Sequence, residues 1–199
     1  MKVLLLLSVG LGLTWALQDQ TNVPVTPYFV PEQVTGSWHT FKLAATDPSV
    51  VEEGGAYRCF MTGIVLLDNG NLNVTYLHRE DGKCVEKFYI AEKTETPGRY
   101  TFDYQGKNFL TFMDVTEDYT IIDLESKVGS LIVTELHARS LSTSDVGWDY
   151  YFSHTCRRGI SPLDIEDLSF SRLGDKNSNL RAGRRLGPGR KKQRETPGH

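Results

Sequence analysis

An all-β fold, an eight-stranded up-and-down antiparallel barrel with one C-terminal α-helix packed on its wall, is the class this sequence predicts. Three observations point there. Between residues 36 and 140, short β-rich runs are separated by turn signals at the spacing of a barrel or sandwich. Within the runs apolar and polar residues alternate: Leu72, Val74 and Tyr76 oppose Asn73 and Thr75, and Tyr100, Phe102 and Tyr104 oppose Thr101 and Asp103. One face is therefore apolar and the other wet. The connections are short and sequential, which favours a meander, and closing a meander into a barrel removes its exposed edges.

In order, the runs are SWHTFKL, AYRCFMTGIVLL, NLNVTYLH, CVEKFYIAEK, GRYTFDYQ, NFLTFMDV, DYTIIDLE and SLIVTELHAR. Asp68-Asn69-Gly70, Asp81-Gly82, Pro97-Gly98 and Gln105-Gly106 mark four of the turns between them. After the last run, Ser144 is placed to cap a helix reaching about Cys156. Trp148, Phe152 and Cys156 recur at i, i+4 and i+8, so they share the face expected against the wall. Arg157 and Arg158 suit the negative end of the helix dipole, and Gly159 suits a left-handed stop. A short segment, PLDIEDLS, follows.

The two ends differ from this body. Residues 1–16, MKVLLLLSVGLGLTWA, have the charged start, apolar run and small residues of a secretory signal peptide. The run is shorter than the ~20 residues a membrane span needs, so a secreted, extracellular protein without a membrane span is expected. Residues 17–171, the barrel domain, carry 12 Lys and Arg against 23 Asp and Glu, whereas residues 172–199 carry 9 against 2. An acidic body argues against nucleic-acid binding, which needs a basic surface. The tail is rich in Gly, Pro and Arg and poor in large apolar residues, so it is expected to be disordered. It offers a basic handle for a receptor or an acidic surface partner, and the body is expected as a monomer or weak dimer.

The chemistry-bearing residues are few. Cys59, Cys84 and Cys156 make an odd count, so at most one internal bridge forms and one thiol is left. Tyr57, Cys59 and Met61 share a parity that should face the interior, together with Val74 and Tyr76 and with Tyr100, Phe102 and Tyr104. Such a set either lines an apolar cavity with several phenolic hydroxyls or fills a solid core. Asn73-Val74-Thr75 is an N-glycosylation sequon, with Asn73 facing outward. Five scattered histidines suggest no metal cluster or catalytic triad, and no cofactor is implied.

Gly36-Ser37-Trp38 opening the first strand, Glu117-Asp118-Tyr119 entering the seventh, and Arg139 leaving the eighth together resemble the lipocalins over roughly residues 33–170. The resemblance implies that Gly36, Trp38, Asp118, Tyr119 and Arg139 meet at the closed end, with the guanidinium over the indole face. GSWHT, EKTETPGRYTFDYQG and CRRGISPLDIEDLS are similar to segments of the odorant-binding, urinary and epididymal branch. That branch implies a Cys84–Cys156 disulfide, a free Cys59, and a cavity that carries a small hydrophobic ligand such as an odorant, pheromone, retinoid or lipid. It also implies that the places of Glu135 and His137 face the cavity, where an acid beside a histidine would orient a ligand hydroxyl or amine. Charge burial allows the alternative that both lie at a solvated rim.

Cys59 carries one further resemblance. It falls where lipocalin-type prostaglandin D synthase has its nucleophile, which implies an alternative isomerase activity with Cys59 as catalytic residue. Of the small hydroxyl residues around that thiol, only Thr40 is matched; Met61 and Tyr76 occupy the other places. Buried thiols in apolar surroundings are inert, so the expectation is a carrier and not an enzyme.

Overall fold

Turn chemistry decides where this chain reverses. Gln105 (φ 51°) and Gly106 (φ 104°) are both left-handed, and the Tyr104 N–H donates to the Gly106 carbonyl at 2.8 Å. The flanking strands consequently meet with Asp103 opposite Lys107. The computed structural model describes residues 26, 28–81, 83–142 and 145–169. The expected signal peptide, the basic tail, Gly82 of the second turn and the Ser144 cap lie outside the described residues.

Among the described residues ten strands are formed: β1 (Gly36–Ser37), β2 (His39–Ala45), β3 (Cys59–Leu66), β4 (Leu72–Glu80), β5 (Lys83–Lys93), β6 (Arg99–Asp103), β7 (Lys107–Val115), β8 (Tyr119–Ser126), β9 (Ile132–Ala138) and β10 (Glu166–Asp167). They make one curled antiparallel sheet in the order β1-β3-β4-β5-β6-β7-β8-β9-β2-β10. Eight runs were expected; the first divides into β1 and β2, and β10 is an addition from PLDIEDLS that pairs with Lys42 and Leu43 of β2. The division closes the sheet. β1 pairs with β3 and β2 with β9, so the single run 36–45 joins the two flanks. At the change of partner sits Trp38, whose N–H donates to the Thr62 carbonyl at 3.1 Å.

Two irregularities bear on the interior. A register shift between Met61 and Gly63 moves the inward side from Cys59 and Met61 to Ile64, as a one-residue bulge must. At the β5–β6 seam only two register pairs form, Glu92 with Thr101 and Lys93 with Tyr100. The rest of β5 is paired on its β4 side alone, from Leu72 opposite Ala91 to Glu80 opposite Lys83.

Burial follows two layers. Inside the curl, Trp38, Leu43, Ile64, Leu72, Phe112 and Val133 form the main core. Outside it, Phe41, Met113, Ile121, Leu136, Tyr151 and Ile160 form a second. The second layer exists because α1 (Trp148–Arg157) packs on the outer face. β7, β8, β9 and β2 are thus covered on both faces, and their sequences read as near-continuous apolar runs rather than alternating ones.

Of the expected helix face only Trp148 packs against the outer core. Tyr151, His154 and Thr155 are buried, while Phe152 is 39 % exposed and Cys156 is exposed. Polar anchors set the rotation. Asp123 of β8 is fully buried and faces His154 Nε2 at 2.9 and 3.0 Å from its two oxygens. Arg158 Nε donates to it at 2.8 Å and Thr134 Oγ1 at 2.9 Å. Tyr151 Oη adds a bond to the Thr134 carbonyl at 2.9 Å. Gly147 (φ 74°) admits the chain over Tyr119, where a Cβ would come within 2.6 Å of the ring. The helix face is therefore selected by a carboxylate, which apolar periodicity does not see. The Cys84–Cys156 bridge implied by the resemblance is absent here: Cys84, Cys156 and Cys59 are all free thiols, the first two exposed.

Candidate ligand cavity

At the closed end, Trp38 is fully buried beneath Arg139, whose guanidinium lies 3.6 Å from the ring centroid. Arg139 Nη1 and Nη2 donate to the Ser37 and Gln33 carbonyls at 3.0 and 2.8 Å, and Trp38 Nε1 donates to Val34 at 2.8 Å. Gly36 (φ 99°) leaves 3.2 Å between its missing Cβ and that guanidinium. The Arg139 N–H donates to the Asp118 carbonyl at 2.8 Å, and Tyr119 Oη to Asp114 at 2.6 Å. All five motif residues thus plug or tie this end, and the space left for a ligand lies deeper in the curl.

That space is a cavity of about 30 Å³, room for roughly two waters. Cys59 and Met61 of β3, Val74 and Tyr76 of β4, Tyr89 of β5 and Phe102 of β6 form one side. Tyr57, Tyr104, Ile122, Leu124 and Glu135 complete it. Its small size comes from aromatic side chains turned inward: Tyr89 and Phe102 stack at 4.4 Å and 22°, and Tyr57 meets Tyr104 edge-on at 5.1 Å.

Eight of the ten residues expected to line a cavity are brought together there. Tyr100 is not among them. It lies toward the closed end, edge-on to Phe29 at 6.2 Å and to Phe112 at 6.1 Å, because the segment before the first strand brings Phe29 in to fill that end. His137 is fully buried on the same face of β9 as Glu135, held by Thr40 and Glu135, and does not reach the space. Sequence reasoning missed Tyr89, Ile122 and Leu124. Tyr89 shares its parity with Lys87, which breaks the apolar pattern, and Ile122 and Leu124 are hidden in a run buried on both faces.

One carboxylate stands on this wall. Glu135 is 8 % exposed, so the solvated rim is excluded for both it and His137. Thr40 Oγ1 accepts the Met61 N–H at 2.8 Å and is hydrogen-bonded to His137 Nδ1 at 3.1 Å. Because an ionised carboxylate only accepts, the His137 Nε2–H donates to Glu135 Oε2 at 3.0 Å. The histidine acts as the carboxylate's support, and Glu135 is the polar group offered to the cavity.

Cys59 is half-buried rather than buried. Its Sγ lies 3.5 Å from His78 Nδ1 and 3.8 Å from the Ala56 carbonyl. Burial, and next the Glu135 carboxylate, push the thiol up to about 12. Thr40, the one hydroxyl matched near it in sequence, is occupied by Met61 and His137. Burial raises the phenols of Tyr57, Tyr76 and Tyr104 as well. The cavity thus favours neutral groups, with the carboxylate as its single strong acceptor.

The mouth is covered by the β2–β3 connection. Tyr104 Oη donates to the Ala56 carbonyl, and Arg58 Nη1 donates to the Val51 carbonyl at 2.8 Å and Glu166 at 2.7 Å. Asn73, facing away from the cavity, is half-exposed, with its Oδ1 shielded and unpartnered. Among the described residues no His, Cys, Asp and Glu group of metal-holding size occurs, and no helix is long and apolar enough to cross a membrane.

Residues 35–146 match the lipocalin / cytosolic fatty-acid binding protein family. The major allergen Equ c 1 of Equus caballus is 33% identical over 83% of this chain and 90% of its own length. The salivary lipocalin of Sus scrofa is 32% identical over 85% and 90%. Among solved structures, the possum milk whey lipocalin trichosurin with bound 4-ethylphenol superposes with a TM-score of 0.63 at 28% identity, over 68% of this chain and 96% of that one.

Proposed function

The chain belongs to the lipocalin / cytosolic fatty-acid binding protein family, whose members carry small hydrophobic ligands, and we propose that it is a secreted carrier of a small, neutral, mostly apolar molecule bearing one hydroxyl or amine. The observation that carries this reading is the aromatic and aliphatic cavity with one supported carboxylate, Glu135, on its wall. An apolar body gains from leaving water, roughly 25 cal/mol for each Å² buried. A ligand hydroxyl or amine gains a charge-assisted bond to Glu135, whereas a ligand carboxylate would face like charge in a poorly hydrated space. A phenol such as the 4-ethylphenol bound by trichosurin is a molecule of this kind. Secretion rests on the leader-like residues 1–16 and on the usual export of lipocalins.

The test is displacement of the fluorescent probe N-phenyl-1-naphthylamine. Alkylphenols and medium-chain alcohols should displace it near micromolar, about −8 kcal/mol, and carboxylic acids of equal length at least tenfold more weakly. Glu135→Gln should narrow that gap. Equal displacement by alcohols and acids in the wild type would overturn the assignment of Glu135. For the isomerase alternative only His78, 3.5 Å from the Cys59 Sγ, speaks, and against it a thiol pushed up to about 12 supplies little thiolate at neutral pH.

A further inference from the structure

Resting on the carrier reading, a second feature of the barrel concerns how a ligand gets in. The inner cavity, at about 30 Å³, is far below the roughly 300 Å³ at which small-molecule sites begin. Outside the β5–β6 seam lies a groove of about 370 Å³. Tyr89 and Phe102 line both spaces, so their stack, 4.4 Å between centroids, is the partition between them.

We propose that the ligand enters and leaves sideways between β5 and β6, through a gate made by the Tyr89–Phe102 stack, and that bound ligand extends from the inner cavity into the groove.

The seam is where the sheet resists least. Only Glu92–Thr101 and Lys93–Tyr100 are in register, so parting the two side chains breaks no backbone pairing beyond that point. The mouth, by contrast, is latched: lifting the β2–β3 connection would break the Tyr104–Ala56 bond and the Arg58–Glu166 ion pair. Side-chain rotation is also a faster and more local motion than lifting a tied loop. The groove's composition fits the outer half of an amphiphile. Phe88 and Ile90 supply apolar contact, and Glu92, Thr101, Asp103 and Lys107 supply polar partners. The ligand class is therefore an elongated molecule whose hydroxyl or amine meets Glu135 inside and whose alkyl or aryl body passes the seam, its far end lying against Phe88 and Ile90 in the groove.

Stopped-flow binding of N-phenyl-1-naphthylamine to the full chain tests the route. Extending the register of Glu92 with Thr101 places Ile90 opposite Asp103, and both are exposed. An Ile90→Cys/Asp103→Cys bridge, located by peptide mapping, should slow association and release at least tenfold, with recovery on reduction. Tyr89→Ala should accelerate both several-fold, which keeps the proposal testable if the bridge does not form. Arg58→Gln, which loosens the mouth, should leave both rates within twofold. Stapled protein that binds and releases at the wild-type rate, or acceleration by Arg58→Gln without acceleration by Tyr89→Ala, would overturn the route while leaving the carrier reading intact. Absence of probe binding to the wild type at equilibrium would overturn both.

Discussion

At Cys59 two neighbours pull in opposite directions. His78, 3.5 Å away, is the residue type that activates thiols, yet burial and the Glu135 carboxylate hold the proton on sulfur, moving it from 9.0 to about 12. Desolvation wins because the Tyr104 hydrogen bond and the Lys87 ammonium, which favour the thiolate, are the smaller effects. Alkylation of Cys59 by iodoacetamide in the native protein should therefore still be rising with pH above 10, and should run about a thousandfold slower at pH 7.5 than in urea, where the thiol is normal. A native profile that levels off near pH 9 would show an ordinary thiol. The inward parity of Cys59 was legible from the alternation of its strand, as were Met61, Val74 and Phe102. The Thr40–His137–Glu135 chain was not, because it joins strands 97 residues apart in sequence. Parity placed Glu135 and His137 on one side of β9, and only the fold tells which of them reaches the space.

The helix α1 shows where element-scale reasoning stops. Its existence and C-terminal end follow from composition, but its buried face follows from Asp123, a residue in a different element. A fully buried carboxylate bonded to Thr134, His154 and Arg158 is costly to break from either side, since the partners stay desolvated. Asp123→Asn should destabilise the fold by about 3 kcal/mol, read from urea unfolding. Asp145→Asn, an exposed residue just before the helix, should stay within about 0.5 kcal/mol. Equal effects would remove Asp123 as the anchor. The strands, by comparison, were legible nearly throughout because turn residues and alternation agree there; the split at Trp38 was not, since a change of pairing partner leaves the apolar pattern untouched.

Across the whole molecule, the sheet has a covered half and a bare half. β7, β8, β9 and β2 are packed on both faces, while β3 and β5 turn Val65, Phe88 and Ile90 to solvent. The sequence shows this as a contrast between unbroken apolar runs and alternating ones, although which element covers the second face is a tertiary fact. The contrast has a kinetic consequence. The helix-backed half can bury apolar surface as soon as its hairpins meet, so it should form the folding nucleus, with the ligand wall condensing last. Substitutions such as Leu136→Ala in the outer layer should slow folding, whereas Val74→Ala should chiefly speed unfolding; chevron kinetics giving the reverse assignment would refute this order. A protein built this way finishes its scaffold before it finishes its cavity, so the chain meets its cargo only after the supporting half is already in place.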